Sequence, residues 1–252
     1  MTRLSWACSP ALWCWRLPVR RCPVPEFSSV LLPLPQAGGA FIFPRMVRLV
    51  LFDIDGTLIR TGGAGVKAFE RTFATEFRIP QATERMSFAG RTDTSLVREC
   101  FQIHGLEPTP DNFQRFFENY VFWLDHLLCE FQGRVCAGVF DFISGLQRLA
   151  RPPLLGLLTG NIRLGAEIKL RRYGLWDYFR TGAFGDDHED RNQLAVIAQH
   201  RGHGLLADGL TGREILVVGD TPRDIECARQ IKARMLAVGT GAVDNGGYLL
   251  TI

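Results

Sequence analysis

The sequence predicts an α/β fold: a parallel sheet with helices on both faces, and a helical segment inserted after the first strand. Three observations predict it. Short apolar runs at 47–52, 154–158 and 214–218 read as buried parallel strands, each ending directly in a polar cluster. From 138 onward, strand-like and helix-like segments alternate, as connected parallel strands require. The stretch between the first two runs is far longer than one crossover helix needs.

In order, the run 47–52 is the first strand and Gly62-Gly63-Ala64-Gly65 loosens the chain before a helix over 66–77. Residues 80–135 are helical in pattern, with Phe101, Phe113, Phe116, Phe117, Tyr120, Phe122 and Trp123 at near-helical spacing. A helix over 140–150 is stopped by Pro152-Pro153, and 154–158 is the second strand. A helix over 164–173, a strand over 179–184 and a helix over 192–201 follow. The chain then gives a strand at 214–218, a helix at 222–231 that begins with proline, and a last strand at 235–238. The expected organisation is a Rossmann-like core, 46–64 and 138–252, with a helical cap over 65–137.

Residues 1–45 read differently. They hold seven of the thirteen prolines and three of the five tryptophans, and sustain neither period. The expectation is a disordered segment, or a spurious extension upstream of a start at Met46. They also carry five arginines against one glutamate, net +4, so the formal +3 of the whole chain leaves −1 on the rest. A near-neutral body does not point to nucleic acid as a partner. Seven cysteines without a CxxC pair fit reduced thiols and a cytoplasmic protein. No apolar run reaches the ~18 residues of a membrane span.

Ligands of such sheets bind beyond the carboxyl ends of the strands. Three polar clusters fall there: Asp53-Ile54-Asp55-Gly56-Thr57-Leu58, Thr159-Gly160-Asn161, and Gly219-Asp220-Thr221-Pro222-Arg223-Asp224. Carboxylates gathered on one rim repel each other, and a hard divalent cation with oxygen ligands resolves that; Mg²⁺ suits the task. A metal beside a carboxylate nucleophile suits phosphoryl transfer through an aspartyl-phosphate. Helix starts after Thr159 and Thr221 offer N–H groups to a phosphate. Taken singly, these strings are equally compatible with an Asx turn and ordinary helix caps.

Together, and in this order, the three strings resemble the first, second and fourth motifs of the haloacid dehalogenase superfamily, with Leu157-Leu158 leading into the second. The likeness spans 47–242 and is greatest to the phosphoglycolate-phosphatase-like branch, which carries a helical cap. It implies an Mg²⁺-dependent phosphatase acting on a small phosphate monoester. Asp53 would attack phosphorus and ligate the metal. Asp55 would act as acid and base and ligate through its carbonyl. Asp220 and Asp224 would hold the metal, and Thr159, Gly160 and Asn161 the phosphoryl oxygens. The family's dehalogenases lack the acid at the position of Asp55, so its presence favours phosphate esters.

Two departures stand out. The family expects a lysine before its fourth motif. Here the chain reads Asp186-Asp187-His188-Glu189-Asp190-Arg191, which puts Arg191 in that role with Lys169 as runner-up. The run of acids reads as a solvated loop. After 239–242 the family adds a helix and a strand, whereas 243–252 has an unrelated-looking tail. Gly62–Gly65 reads as a hinge, and Gly90-Arg91-Thr92-Asp93 either reaches the site through Arg91 or is a surface turn with Asp93 capping a helix. A sugar-phosphate mutase and a catalytically weak binding protein remain as alternative readings.

Overall fold

The computed structural model describes residues 46–84, 86–206, 208–239 and 248–250. The expectations for 1–45, and most of the tail beyond 239, lie outside them. The strand β1 (Leu49–Phe52) is buried at every position and lies between two parallel neighbours, β4 (Leu154–Leu158) and β6 (Ile215–Gly219). A strand covered on both faces has no polar side to present, which is why Leu-Val-Leu-Phe shows no alternation. With β5 (Thr181–Ala183), β7 (Arg234–Val238) and β8 (Tyr248–Leu250), the sheet runs β5-β4-β1-β6-β7-β8. The first five strands are parallel. β8 pairs antiparallel with β7, so the tail supplies an edge strand that its sequence did not announce.

The strand order reverses at β1. The chain steps outward through β4 and β5, then returns to the other side of β1 for β6 and β7. Such a switch point opens a crevice at the carboxyl end of the central strand. The sheet buries one cluster on each face: Val50, Phe52, Leu157 and Val218 on one, and Leu49, Leu51, Leu158 and Val217 on the other. Helices cover both faces: α4 (Val139–Gln147), α5 (Arg163–Arg172), α6 (Arg191–Leu205) and α7 (Pro222–Gln230).

Between β1 and β4 the chain forms a short antiparallel ribbon, β2 (Ile59–Arg60) with β3 (Arg134–Val135), and between these strands three helices. These are α1 (Ala64–Glu76), α2 (Asp93–Ile103) and α3 (Pro110–Glu130). The sequence placed a continuous helical pattern over 80–135; the structure breaks it at Thr92 and Thr109. Each of those hydroxyls caps the helix that follows, accepting from the N–H of Ser95 and Asn112. The helices enclose an aromatic cluster of their own, in which the Phe69 and Phe116 rings lie 4.7 Å apart. The ribbon was missed because two-residue strands are too short for a period. Gly62 and Gly63, with φ of 67° and 99°, turn the chain from the ribbon into α1. Among the described residues no helix is long and apolar enough to cross a membrane.

Candidate active site

All three polar clusters meet at the switch point and line one cavity of about 490 Å³. Asp53 prolongs β1 by one ladder bond, its N–H donating to the Val218 carbonyl at 2.9 Å. The chain then folds back, with the Leu58 and Ile59 N–H groups donating to the Ile54 carbonyl, and this turn carries Asp55 to the cavity. Gly56 makes the turn possible. Its φ is 89°, and a Cβ there would lie 2.2 Å from Asp220 Oδ2.

Carboxylate oxygens of Asp53, Asp220 and Asp224 lie within 4.8 Å of one another. Arg191, at the first turn of α6, bridges two of them, its Nη2 lying 2.8 Å from Asp53 and 2.6 Å from Asp224. The guanidinium is buried, as are both acids. Arg191 therefore occupies the place beside Asp53 where the resemblance called for a lysine, and Lys169 does not. Burial is the main reason the Asp53 carboxyl is pushed up to about 7; Arg191 works against this, and Asp224 and Asp55 add to it. Asp224 also closes a capping box at the start of α7, accepting from the Thr221 N–H at 3.0 Å and its hydroxyl at 2.7 Å. Its functional placement and its helix-capping role are thus one arrangement. Asp220 accepts from the Thr57 hydroxyl at 3.2 Å.

Asp55 belongs to a different set. Its carboxylate is not among the three that converge, and accepts instead from Lys169 Nζ at 2.7 Å and Asn161 Nδ2 at 2.8 Å. Burial under the helices works to raise its pKa. The Lys169 ammonium, and then the hydrogen bonds from Lys169 and Asn161, outweigh that and hold it below the usual carboxylate range. Asn161 is committed on both sides: Oδ1 accepts from Lys169 at 2.6 Å, and Nδ2 also donates to Thr159 Oγ1 at 2.9 Å. Its side chain therefore positions Asp55 rather than pointing freely at a ligand. Thr159 is buried at the cavity wall; its oxygen accepts from Asn161, which leaves its O–H to donate elsewhere.

The turn at 90–95 does not stay at the surface. The Asp93 N–H donates to the Gly160 carbonyl at 2.7 Å, and Asp93 Oδ2 accepts from the Ile162 N–H at 2.9 Å. Asp93 thereby caps α5 across the fold, a role with no sequence signal. Burial, the leading cause, pushes its pKa up to about 6, against the nearby Lys169 and the Ile162 hydrogen bond. A Cβ on Gly160 would lie 2.0 Å from the Arg91 carbonyl, so this glycine is needed for the contact. Arg91 lines the cavity, yet its guanidinium pairs with Glu99. The acids of 186–190 are busier than a solvated loop. Asp187 pairs with Arg201, Glu189 with Arg98, Asp190 caps α6, and Asp186 accepts from the Arg163 N–H at 3.0 Å.

Three buried or half-buried carboxylates sharing one small volume need positive charge beyond Arg191. Their hard oxygens, and a floor at Gly56 open only because it lacks a Cβ, fit a hard divalent cation.

Known proteins share this architecture and sequence. A solved structure of CbbY from Rhodobacter sphaeroides, in complex with phosphate, superposes with a TM-score of 0.62 at 17% identity, covering 80% of this chain and 91% of its own. The phosphoglycolate phosphatase of Synechococcus elongatus is 27% identical over 205 residues, 79% of this chain and 86% of that protein. That of Thiobacillus denitrificans is 26% identical over the same length and shares. The family model described as haloacid dehalogenase-like hydrolase matches residues 50–238, from the second residue of β1 to the last of β7. The chain belongs to the haloacid dehalogenase-like hydrolases.

Proposed function

We propose that this hydrolase is a phosphatase that cleaves a small phosphate monoester through an aspartyl-phosphate on Asp53, with Mg²⁺ as its cation. The observation that carries the reading is the meeting of Asp53, Asp220 and Asp224 at the carboxyl end of the central strand, with Arg191 on Asp53. Asp53, Asp220, Asp224 and the Asp55 carbonyl would hold the cation. Bound there, it would neutralise the carboxylates and draw charge from the phosphoryl oxygens.

Arg191 holds one oxygen of Asp53 and so fixes the carboxylate for attack on phosphorus. Thr159 O–H and the backbone of Gly160 and Asn161 donate to the phosphoryl oxygens. Asp55, set by Lys169 and Asn161, gives a proton to the departing alcohol oxygen and then takes one from the water that opens the acyl phosphate. The ammonium of Lys169 keeps Asp55 charged in the empty site. An incoming phosphate dianion competes for that ammonium and raises the affinity of Asp55 for a proton. Residues 65–137 act as the cap over the core of 46–64 and 138–252, and exclude bulk water while Asp53 is phosphorylated. Pairing of Arg91 with Glu99 leaves that cation unavailable for a second phosphate group, which speaks for hydrolysis over a mutase.

The test is phosphate release from a panel of small esters with and without Mg²⁺, using Asp53→Asn as control. Metal-dependent release lost in the variant supports the reading. Folded wild type without release under any condition refutes it.

A further inference from the structure

The mechanism above uses the floor of the cavity; one group on its opposite wall has no task in it. Tyr120, on α3, is 2% exposed and lines the cavity. Its ring stacks on Phe116 at 5.9 Å and meets Phe69 edge-on at 6.1 Å. The packing uses only the ring. Its hydroxyl has no hydrogen-bond partner among the described residues, and a buried tyrosine O–H ordinarily finds one. Burial, and then Asp93 and Asp55 nearby, push this phenol well above its usual pKa, so it stays a neutral donor.

The neighbours of this hydroxyl are also incompletely used. A Cβ placed on Gly65 would lie 3.5 Å from Lys169 Nζ and 4.0 Å from the Tyr120 hydroxyl, so both flank one open spot at the start of α1. Lys169 spends two of its three N–H donors on Asp55 and Asn161. Asp93 accepts from Ile162 with Oδ2, while Oδ1 has no partner among the described residues. Donors and an acceptor thus surround a space next to the acid that would protonate the ester oxygen. A hydroxyl can accept from Tyr120 or Lys169 and donate to Asp93 at once. A carboxylate or second phosphate would face Asp93 and Asp55 as like charges.

We propose that Tyr120 determines substrate specificity: with Asp93 and Lys169 it hydrogen-bonds a hydroxyl carried beside the phosphate ester, so that the substrates are phosphate monoesters of small polyols. The inference rests on the phosphatase reading and narrows it. The experiment compares kcat/KM, in Mg²⁺, for glycerol 3-phosphate, ethyl phosphate, phosphoglycolate and p-nitrophenyl phosphate, in wild type and Tyr120→Phe. Wild type is expected to favour glycerol 3-phosphate over ethyl phosphate by at least about tenfold, and Tyr120→Phe to shrink that ratio roughly tenfold. Its melting temperature should not fall, because the lost hydroxyl bonds nothing in the fold. Asp93→Asn provides the second variant and is expected to shrink the same ratio. Preference for ethyl phosphate or phosphoglycolate, or a ratio unmoved by Tyr120→Phe, overturns the inference while leaving phosphatase activity intact. A folded wild type that releases phosphate from none of the four esters overturns the phosphatase reading and this inference together.

Discussion

Asp93 ties the helical insertion to the core, and its charge should make that tie depend on pH. The carboxyl is 9% exposed, with a folded-state pKa of about 6 against a reference of 3.8. A pKa higher in the folded state means the fold binds the proton more tightly. The stabilisation is therefore complete below the unfolded value and is lost as pH rises through 6. The full span is about 3 kcal/mol, from roughly two pKa units at 1.36 kcal/mol each, and the part falling between pH 5 and pH 8 is about 1.4 kcal/mol. Asp93→Asn keeps an oxygen for the Ile162 N–H and removes the titration. In chelator, urea unfolding at pH 5 and pH 8 should show wild type losing about 1.4 kcal/mol more than the variant, or roughly 3–6 °C in melting temperature. Asp53, also raised, titrates alike in both proteins and cancels in the difference. Equal losses in the two proteins would refute the reasoning from burial.

Other perturbations probe the remaining links. Arg191→Ala should destabilise the fold by about 3–5 kcal/mol, because it leaves two buried carboxylates facing each other, while Arg191→Lys should destabilise it less; denaturant titration reads both. Asp53→Asn should lower phosphate release by at least about 10³-fold with little change in melting temperature, and activity near wild type would remove Asp53 from the nucleophile's place. Gly56→Ala should weaken Mg²⁺ binding by at least roughly tenfold, since its Cβ would displace the Asp220 carboxylate; calorimetry on the metal-free protein measures it. Lys169→Met should move the titration of Asp55 upward, followed by carboxyl-carbon NMR, and an unmoved titration would deny Lys169 its hold on that group.

The parallel strands were legible because strands buried on both faces read as solid apolar runs, and each ended in the polar residues that now share the cavity. Arg191 was legible through its distance before the fourth cluster, and its contacts with Asp53 and Asp224 separate it from Lys169. Other features had no local signature. Asp93 caps a helix that begins at Arg163, and pairing over such separation follows only from how the insertion lies on the core. Tyr120 sat in a row of aromatics that predicts a packed face, and nothing in that pattern separates a ring that only packs from one whose hydroxyl reaches a cavity. The loop at 186–190 looked merely soluble because its partners Arg98, Arg163 and Arg201 lie on other elements.

The β2–β3 ribbon brings Ile59 beside Val135 and Arg60 beside Arg134, so the chain leaves the sheet and returns to it through neighbouring positions. To the core, everything between is a closed loop whose ends are already fixed. The entropy of closing such a loop grows only with the logarithm of its length, about 0.6 kcal/mol for each doubling. Helices can therefore be added, removed or replaced beyond the ribbon at small expense to the sheet and its carboxylates. The fold keeps its reaction chemistry and its choice of substrate on separately replaceable parts.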